Sequence, residues 1–357
     1  MSYRILLAAV TAVVVPLSAS AQNQKLEIVK LADGVYAGVY SEFRMDPVEG
    51  NSLIVVGADG VLVLDSGRTP DSARTMMSEI RKLTDKPIRF VVNSHWHDDH
   101  IFGNQAYQEA FPDVRIIAHR NTREDMQQQV VPSLTKYGVE YWKKMAAGFE
   151  GQLAKGARAD GTPLTDQQRT RLTEQVRTLN EFIPKLPSLR VVLPTVTIDG
   201  TITVSQQDRE IQIIHPGLGN TRGDLAVFLP KEGILATGDL LVHPVPFAYG
   251  SFIPEWIESL KKLRRLEVKT IVPGHGPLMQ GPEYLDDVIK LLESLNTQVN
   301  DAVKRGLSLE DTKKAVNLES FRARLAGDDP VRKGVFADSI MREAIERAYK
   351  AAKGESL

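Results

Sequence analysis

The stretch "NSHWHDDHIFGN", residues 93–104, places three of the chain's seven histidines and two aspartates in six consecutive positions, His95 to His100. It follows the apolar run "IRFVV", which is typical of a buried β-strand. Sheets flanked by helices usually carry their chemistry just beyond the carboxyl end of a strand. Three imidazoles and two carboxylates at such a point predict a metal site, and this spacing disfavours the alternative of solvated or core-packed polar side chains.

The stretch is long enough to serve two adjacent ions. In an extended strand, His95 and His97 point to one side, while Trp96 points to the other side and into the core. Asp99 and His100 follow where the chain must turn, so they are expected to face a neighbouring point. The sequence contains no cysteine, so the donors are nitrogen and oxygen atoms, which suit zinc and do not exclude iron or manganese.

Two predicted hairpins, at residues 51–65 and 224–239, share one pattern. Each has an apolar run, a turn with Gly60 or Gly233, a second apolar run, and a terminal aspartate, Asp65 or Asp239. This repetition predicts two similar β-rich halves packed face to face with helices outside.

The motif "HWHDDH" resembles the HxHxDH signature of the metallo-β-lactamase superfamily, and the resemblance continues in "VLVLDSG", "ATGDLL" and "VPGHG". It implies an α+β fold, the four-layer αβ/βα sandwich, here with a helical insertion and C-terminal helices. It also implies that Asp239 bridges two metals, that His275 is the last ligand of the second metal, and that Asp65 supports the centre from behind the ligands.

One motif departs from the family pattern at the first metal site. Where the family usually has Gly-His-Thr or Gly-His-Ser, this chain has "GLGNTRGD", which puts Asn220 on the histidine position. An amide oxygen is a weaker zinc donor than an imidazole nitrogen, so the site of His95, His97 and a share of Asp239 is expected to bind less tightly, with Asn220 as a weak ligand or a supporting residue. The second site has its full set of expected ligands: Asp99, His100, Asp239 and His275.

Three further histidines have weaker assignments. His215 and His243 are possible substrate contacts or replacement ligands, although a hydrogen-bonded pocket residue is the favoured interpretation of each. His243 is the better candidate for substrate contact because it closely follows Asp239. His119, at the end of "RIIAH", is interpreted as structural.

Residues 1–21 have the layout of a secretory signal peptide, with Arg4 before an apolar run and small residues before the cleavage point. The run is too short to span a membrane. We therefore expect a protein exported to the periplasm or secreted, without a membrane anchor after cleavage. The mature chain divides into a metallo-β-lactamase-like domain, residues 22–280, and a C-terminal helical extension, residues 281–357.

A helical insertion is predicted at about residues 119–189. In its second helix, Thr165 and Gln168 form a candidate capping box, and the glycine-rich stretch before this helix predicts a flexible connection. The insertion is either a lid over the site or a helical pair packed elsewhere. Its aromatic residues Tyr137, Tyr141 and Trp142 line the pocket or, as favoured, pack between helices.

The formal net charge of -1 provides no basic surface for nucleic acid, so the expected partner is a small molecule, and the oligomeric state stays open. The expected reaction is hydrolysis of an ester, thioester, lactone or amide by a metal-activated water, with Asp99 as the proton shuttle. The alternatives are β-lactamase activity, a mononuclear-iron oxidoreductase similar to persulfide dioxygenases, and a non-catalytic metal-binding protein.

Overall fold

The computed structural model describes residues 25–40, 48–134, 138–158, 161–206 and 209–355. The predicted signal peptide, residues 1–21, lies outside the described residues. Across the described ranges, none of the helices combines the length and the apolar character that a membrane span requires.

The first half of the chain forms a seven-stranded sheet. In chain order, its strands are β1 (Glu27–Ala32), β2 (Val35–Val39), β3 (Ser52–Val56), β4 (Val61–Leu64), β5 (Ile88–Val92), β6 (Arg115–His119) and β7 (Val196–Ile198). Strands β1 to β4 pair antiparallel, and β4 to β7 pair parallel.

The second half forms a six-stranded sheet. Its strands are β8 (Ile202–Gln206), β9 (Arg209–Ile214), β10 (Ala226–Leu229), β11 (Ile234–Ala236), β12 (Thr270–Val272) and β13 (Met279–Gln280), in reverse chain order across the sheet. Strands β11 and β12 pair parallel, and the other neighbours pair antiparallel.

Helices cover both sheets and fill the insertion and the C-terminal extension. They are α1 (Pro70–Leu83), α2 (Asp98–Ile101), α3 (Asn104–Ala110), α4 (Arg120–Asp125), α5 (Gly138–Lys155), α6 (Asp166–Phe182), α7 (Ile253–Arg264), α8 (Glu283–Lys304), α9 (Leu309–Ala315), α10 (Glu319–Leu325), α11 (Pro330–Val335) and α12 (Ile345–Ala352). The segments Met126–Val130 and Phe336–Ala344 are π-helical.

Successive side chains of each strand point to opposite faces of its sheet, so the apolar side chains lie in separate layers. Residues from both sheets fill the space between them, including Leu53, Leu62, Val92, Ile211, Val227 and Val272. The neighbours Ile54 and Val63 belong to the outer core with α1 and α3, as a period of two residues requires. The prediction of a four-layer αβ/βα sandwich is confirmed.

The predicted repetition of the two halves is visible in the strand pairing. In each half an antiparallel hairpin, β3–β4 or β10–β11, is followed by a helix, α1 or α7, and then by a parallel strand, β5 or β12. The two halves also share one equivalent backbone hydrogen bond just beyond these strands. Asp65 donates its backbone N–H to the carbonyl of Val92 at 2.7 Å, and Thr237 donates to Val272 at 3.0 Å.

The insertion is helical, as predicted. Thr165 caps α6 with a complete capping box, because its side chain accepts from Gln168 N and its own N–H donates to Gln168 Oε1. The prediction of a flexible glycine-rich connection was wrong for its first part. Gly148 and Gly151 lie inside α5, because packing of α5 against α6 outweighs the low helix propensity of glycine.

The C-terminal extension shares one core with the outer face of the second sheet. Phe228 and Leu235 of the sheet, Trp256 of α7, Leu292 of α8 and Phe336 belong to the same cluster of buried side chains. The predicted boundary at residue 280 therefore separates segments that are packed together.

A pair of stacked histidines joins the two sheets at one edge. His119 ends β6 and His215 follows β9, and their ring centroids lie 3.9 Å apart with an interplanar angle of 26°. His215 Nδ1 is hydrogen-bonded to the carbonyl oxygen of Asp224 at 2.9 Å. His119 Nδ1 accepts from Asn121 N at 3.1 Å and so caps α4. This contact gives His119 the structural role that was predicted.

Burial, and then the neighbouring His215, lower the pKa of His119 to about 4. Asp199 acts in the opposite direction, while Arg120 and Arg222 add to the lowering of this pKa. Because the folded pKa lies below the ordinary value of about 6.5, the neutral imidazole stabilises the fold above pH 6.5, and that stability is lost as the pH falls toward 4.

His119→Asn is expected to reduce this acid sensitivity, because asparagine keeps an N-cap acceptor and does not titrate. The free energy of unfolding of the wild type should fall by about 2 kcal/mol more than that of the variant between pH 7 and pH 4. Urea unfolding with a chelator in both samples measures this difference. Parallel pH profiles for the two proteins would show that the stack does not titrate.

Candidate metal centre

The histidine-rich segment lies in a bend beyond β5. The strand ends at Val92, and residues 93–97 are bends and coil before α2 begins at Asp98. The expectation that His95 and His97 share one face of an extended strand was therefore wrong. The bend nevertheless brings His95 Nε2 within 2.8 Å of His97 Nδ1.

Two groups of donor atoms lie side by side and share His100. The first group is His95, His100 and Asp239, and the second is Asp99, His100 and His275; in each group the donor atoms lie within 4.8 Å of one another. His275 Nε2 is 3.0 Å from Asp99 Oδ2 and 3.4 Å from Asp239 Oδ1. His100 Nε2 is 3.3 Å from Asp239 Oδ1. The structure thus brings together all six predicted ligands, with His97 beside His95.

Asp65 lies outside the two donor groups and orients His100. Its carboxylate accepts from the backbone N–H of Ser94 at 2.7 Å and from Ser94 Oγ at 2.8 Å, and its Oδ2 lies 2.8 Å from His100 Nδ1. Asp65 has a φ of 64°, a left-handed conformation that aspartate tolerates better than most residues. A carboxylate on the far nitrogen of an imidazole fixes the ring orientation and increases the basicity of the ligand.

The second half of the chain supplies Asp239 and His275 from two loops. Asp239 lies in the 3-10 turn Gly238–Leu240, and a Cβ on Gly274 would meet Asp239 Oδ1 at 2.0 Å, so this position requires glycine. Asn51 spans the sheets and donates to the carbonyls of Pro273 and Gly276, at 3.0 and 2.8 Å. These bonds hold the loop of His275 against the first half.

Asn220 is buried, and its amide has a defined orientation. Its Nδ2 donates to the carbonyl oxygen of Phe247 at 2.6 Å, so Oδ1 is the other end of the amide. Oδ1 is buried without a hydrogen-bond partner among the described residues. The ring of Phe247 packs edge-on against His97, with centroids 5.8 Å apart, so Phe247 contacts both Asn220 and His97.

The electrostatic environment divides the imidazoles into two pairs. Burial, aided by neighbouring histidines, holds the pKa of His95 well below its ordinary value, and burial also lowers the pKa of His97. For His100 and His275 burial acts in the same direction, but the surrounding carboxylates outweigh it and raise both pKa values. The carboxylates that favour a proton at the second pair also favour a metal cation there.

The residues present fit a metal ion. Asp239 Oδ1 is buried and makes no hydrogen bond among the described residues, while the Nε2 atoms of His100 and His275 lie 3.3 and 3.4 Å from it. A buried carboxylate oxygen that faces ring nitrogens in this way suits a cation. Imidazole nitrogens and carboxylate oxygens are donors for zinc, and iron and manganese accept the same set.

The other predicted residues lie outside the donor groups. His243 packs against Tyr284 with ring centroids 4.8 Å apart, and its backbone N–H donates to the carbonyl of His275. His215 stacks on His119, as described above. Contact of His243 or His215 with substrate stays a prediction.

The insertion packs against the metal-binding segment. Its buried residues form one cluster with Ile101 and Phe102, and Trp96 packs on the same cluster. Trp142 contacts Phe182 edge-on at 5.5 Å, in agreement with the favoured helix-packing role, whereas Tyr137 lies outside the described residues. These contacts put the insertion beside the centre, and a lid function stays a prediction.

Sequence reasoning missed three residues that hold the centre in place: Ser94, Asn51 and Phe247. Ser94 links Asp65 to His95, because its Oγ also lies 2.9 Å from His95 Nδ1. Its position directly before the first histidine was an available signal. Asn51 and Phe247 act through backbone carbonyls, which no side-chain motif reveals.

The sequence profile of the metallo-beta-lactamase superfamily matches residues 45–275. A linear primary-alkylsulfatase from Pseudomonas sp. is 23% identical over 322 residues, which cover 84% of this chain and 55% of that relative. The chain therefore spans only about half the length of this curated relative.

Solved structures show the same fold. A metallo-beta-lactamase from Pontibacter korlensis has a TM-score of 0.53 at 19% identity and covers 75% of this chain and 99% of its own. A sec-alkylsulfatase from Pseudomonas sp. has a TM-score of 0.61 at 16% identity and covers 91% of this chain and 50% of its own. The alkylsulfatase structure thus matches a larger part of this chain.

Asp65→Asn is expected to weaken metal binding about 10- to 100-fold, because an amide has a single acceptor oxygen. It cannot replace both Oδ1, which accepts from the Ser94 N–H, and Oδ2, which contacts Ser94 Oγ and His100 Nδ1. Asparagine tolerates the left-handed backbone, so the fold should be kept. Zinc titration against a chromophoric chelator measures the change. Asp59→Asn, in the exposed turn of the same hairpin, is the matched control. Unchanged affinity in Asp65→Asn would exclude the orienting role.

Proposed function

Since the chain belongs to the metallo-beta-lactamase superfamily, we propose that it is a metal-dependent hydrolase of an ester, thioester, lactone or amide bond in a small molecule. The observation that carries this proposal is the pair of buried donor groups that share His100. Zinc is the proposed metal, with iron and manganese as alternatives. Bound at these donors, it would supply a Lewis acid for the substrate oxygen and lower the pKa of the attacking water.

Asp99 is the proposed proton carrier. Its Oδ2 lies 3.0 Å from His275 Nε2 and 3.5 Å from His100 Nε2, so the carboxylate lies between the ligands of the second group. A carboxylate in this position can accept the proton of the attacking water and deliver it to the leaving group. Asp65 and Ser94 keep His100 and His95 in fixed orientations during the reaction.

Aromatic side chains beside His97 favour a substrate with an apolar group. Trp96 lies 4.8 Å from His97, and Phe247 lies 5.8 Å from His97 and 4.8 Å from Tyr249, measured between ring centroids. These side chains are partly exposed. Such a surface accommodates an alkyl or acyl chain through burial of apolar area.

Among esters, alkyl sulfates are the first substrates to test. The similarity to alkylsulfatases extends over 84% of the chain in sequence and 91% in structure, against 75% for the metallo-beta-lactamase structure. β-Lactamase activity is the second candidate, because the fold similarity includes metallo-beta-lactamases and export would bring the enzyme to such substrates.

Export is a separate part of the proposal, and it rests on the signal-peptide pattern of residues 1–21. Expression of the full chain in a bacterial host, followed by fractionation and N-terminal sequencing, tests it. A periplasmic or secreted protein that begins at Gln22 would agree, and an uncleaved protein in the cytoplasm would contradict it.

His95→Ala is expected to lower kcat/KM on the best substrate by a factor on the order of a hundred or more, because it removes a metal donor. The zinc-loaded protein should be assayed on alkyl sulfates, nitrophenyl esters, thioesters, lactones and chromogenic β-lactams. His119→Asn is the control, since this histidine lies outside the donor groups. Tight metal binding without turnover of any substrate would favour the non-catalytic alternative, and iron-dependent oxygen uptake with glutathione persulfide would favour the oxidoreductase.

Asn220→His is expected to bring the dissociation constants of the two metal ions closer together. The wild type should hold one ion firmly and a second loosely, since an amide oxygen is a weaker donor than an imidazole. In the variant one ring nitrogen can donate to the carbonyl of Phe247, which leaves the other nitrogen for metal, and the weaker dissociation constant should fall about tenfold. Elemental analysis and zinc titration measure both steps. Two equally tight ions in the wild type would overturn this prediction.

A further inference from the structure

A buried serine of the C-terminal extension holds the loop that follows Asp239. Ser339 lies in the π-helical segment Phe336–Ala344 and has no exposed surface. Its Oγ donates to the carbonyl of Pro246 at 2.7 Å and accepts from the N–H of Ala248 at 2.8 Å. These two hydrogen bonds flank Phe247 on both sides and fix its backbone.

Phe247 connects Ser339 to the metal centre by two contacts. Its carbonyl accepts from Asn220 Nδ2 at 2.6 Å, and its ring packs edge-on against His97. A second link runs in parallel. Arg347 donates to the carbonyls of Gly250 and Ser251, and the next residue, Phe252, donates its N–H to the carbonyl of Gly219 at 2.9 Å.

The loop of Asn220 is held from its other side by the insertion. Arg222 pairs with Asp125 at 2.7 Å, and Thr122 Oγ1 donates to the carbonyl of Gly223 at 2.8 Å. The loop of Asn220 is therefore held from both directions, and its amide is held by the bond to Phe247. Because Nδ2 is committed to Phe247, Oδ1 is the atom left for another partner, and it has none among the described residues.

We propose that Ser339 is a positioning residue for the first metal site, and that it acts through the Phe247 carbonyl on the Asn220 amide. The proposal rests on the proposed metal-dependent function in requiring that the first site binds metal with Asn220 Oδ1 as its weak donor. A weak donor binds best when its orientation is fixed beforehand, because no rotamer freedom is then lost on binding. The Ser339 hydroxyl supplies this order from a segment more than a hundred residues further along the chain.

The π-helical geometry around Ser339 agrees with this role. Such segments are rare, and they occur frequently at functional sites because the extra residue shifts side chains relative to a regular helix. Here the segment continues from α11 into α12 without a break in the helical chain. Ser339 shares the segment with Phe336 and Ile340, which anchor it in the core of the second sheet.

Zinc titration of Ser339→Ala against a chromophoric chelator tests the proposal. The weaker binding step should lose affinity about tenfold, and the tighter step should change less than twofold. His95→Ala and His275→Ala identify which step belongs to which site. In the Asn220→Ala background the effect of Ser339→Ala on metal affinity should fall below twofold, because only the contact of the Phe247 ring with His97 then remains.

Thr312→Val is the matched control. It removes an equally buried hydroxyl of the same extension that makes no hydrogen bond in the described residues, and it should leave both binding steps unchanged. If Ser339→Ala does not fold, Ser339→Cys keeps the volume with a weaker hydrogen-bonding group and should show a smaller loss in the same direction. Thermal unfolding of the metal-free proteins separates loss of fold from loss of metal.

Three results would overturn the proposal: unchanged affinity in Ser339→Ala, equal weakening of both steps, or the same loss in the Asn220→Ala background. Since the readout is metal affinity, a protein without hydrolase activity can still pass this test. Conversely, a protein that hydrolyses its substrate can still fail it.

Discussion

The metal centre depends on the position of one parallel strand pair in each sheet. In β4–β5 and in β11–β12 the two strands run in the same direction, so their carboxyl ends lie at the same edge. The loops that follow these ends carry all six predicted ligands and the supporting carboxylate of Asp65. The sandwich then brings the two edges together, and Asn51 connects them through the carbonyls around His275. Residues 175 positions apart, His100 and His275, thus come within 3.3 Å.

A two-residue offset between the halves explains why the two terminal aspartates differ in role. By strand register, Asp65 corresponds to Thr237 and not to Asp239, because Asp65 and Thr237 make the equivalent hydrogen bonds to Val92 and Val272. Asp65 directly follows its strand and lies behind His100. Asp239 follows a further turn and extends between the imidazoles. The same sequence pattern thus contains two aspartates with different positions: Asp65 supports His100, and Asp239 lies among the donor atoms.

The sequence predicted those parts of the structure that follow from local patterns. Strand alternation and the repeated hairpins predicted the sandwich, and the capping box of Thr165 predicted the start of α6. Parts that depend on tertiary contacts were missed. The bend at residues 93–97, the helical state of Gly148 and the π-helix around Ser339 all depend on packing partners distant in sequence. The motif residues came from the family resemblance, whereas Ser94 and Asn51 support them through side-chain hydrogen bonds that belong to no motif.

The contacts around Asn220 give a physical interpretation of why an asparagine can stand where the family usually has a histidine. An amide oxygen provides less energy to a metal than an imidazole nitrogen, and leaving it buried without a partner costs about 1 to 3 kcal/mol. The bond to Phe247 confines this amide, and the Arg222–Asp125 pair holds its loop, so the entropy that binding would cost is reduced. An amide also binds no proton in the accessible pH range, whereas an imidazole ligand competes with protons below about pH 6.5. As the proposed donor of the first site, Asn220 would therefore exchange strength of binding for a ligand that acid does not remove.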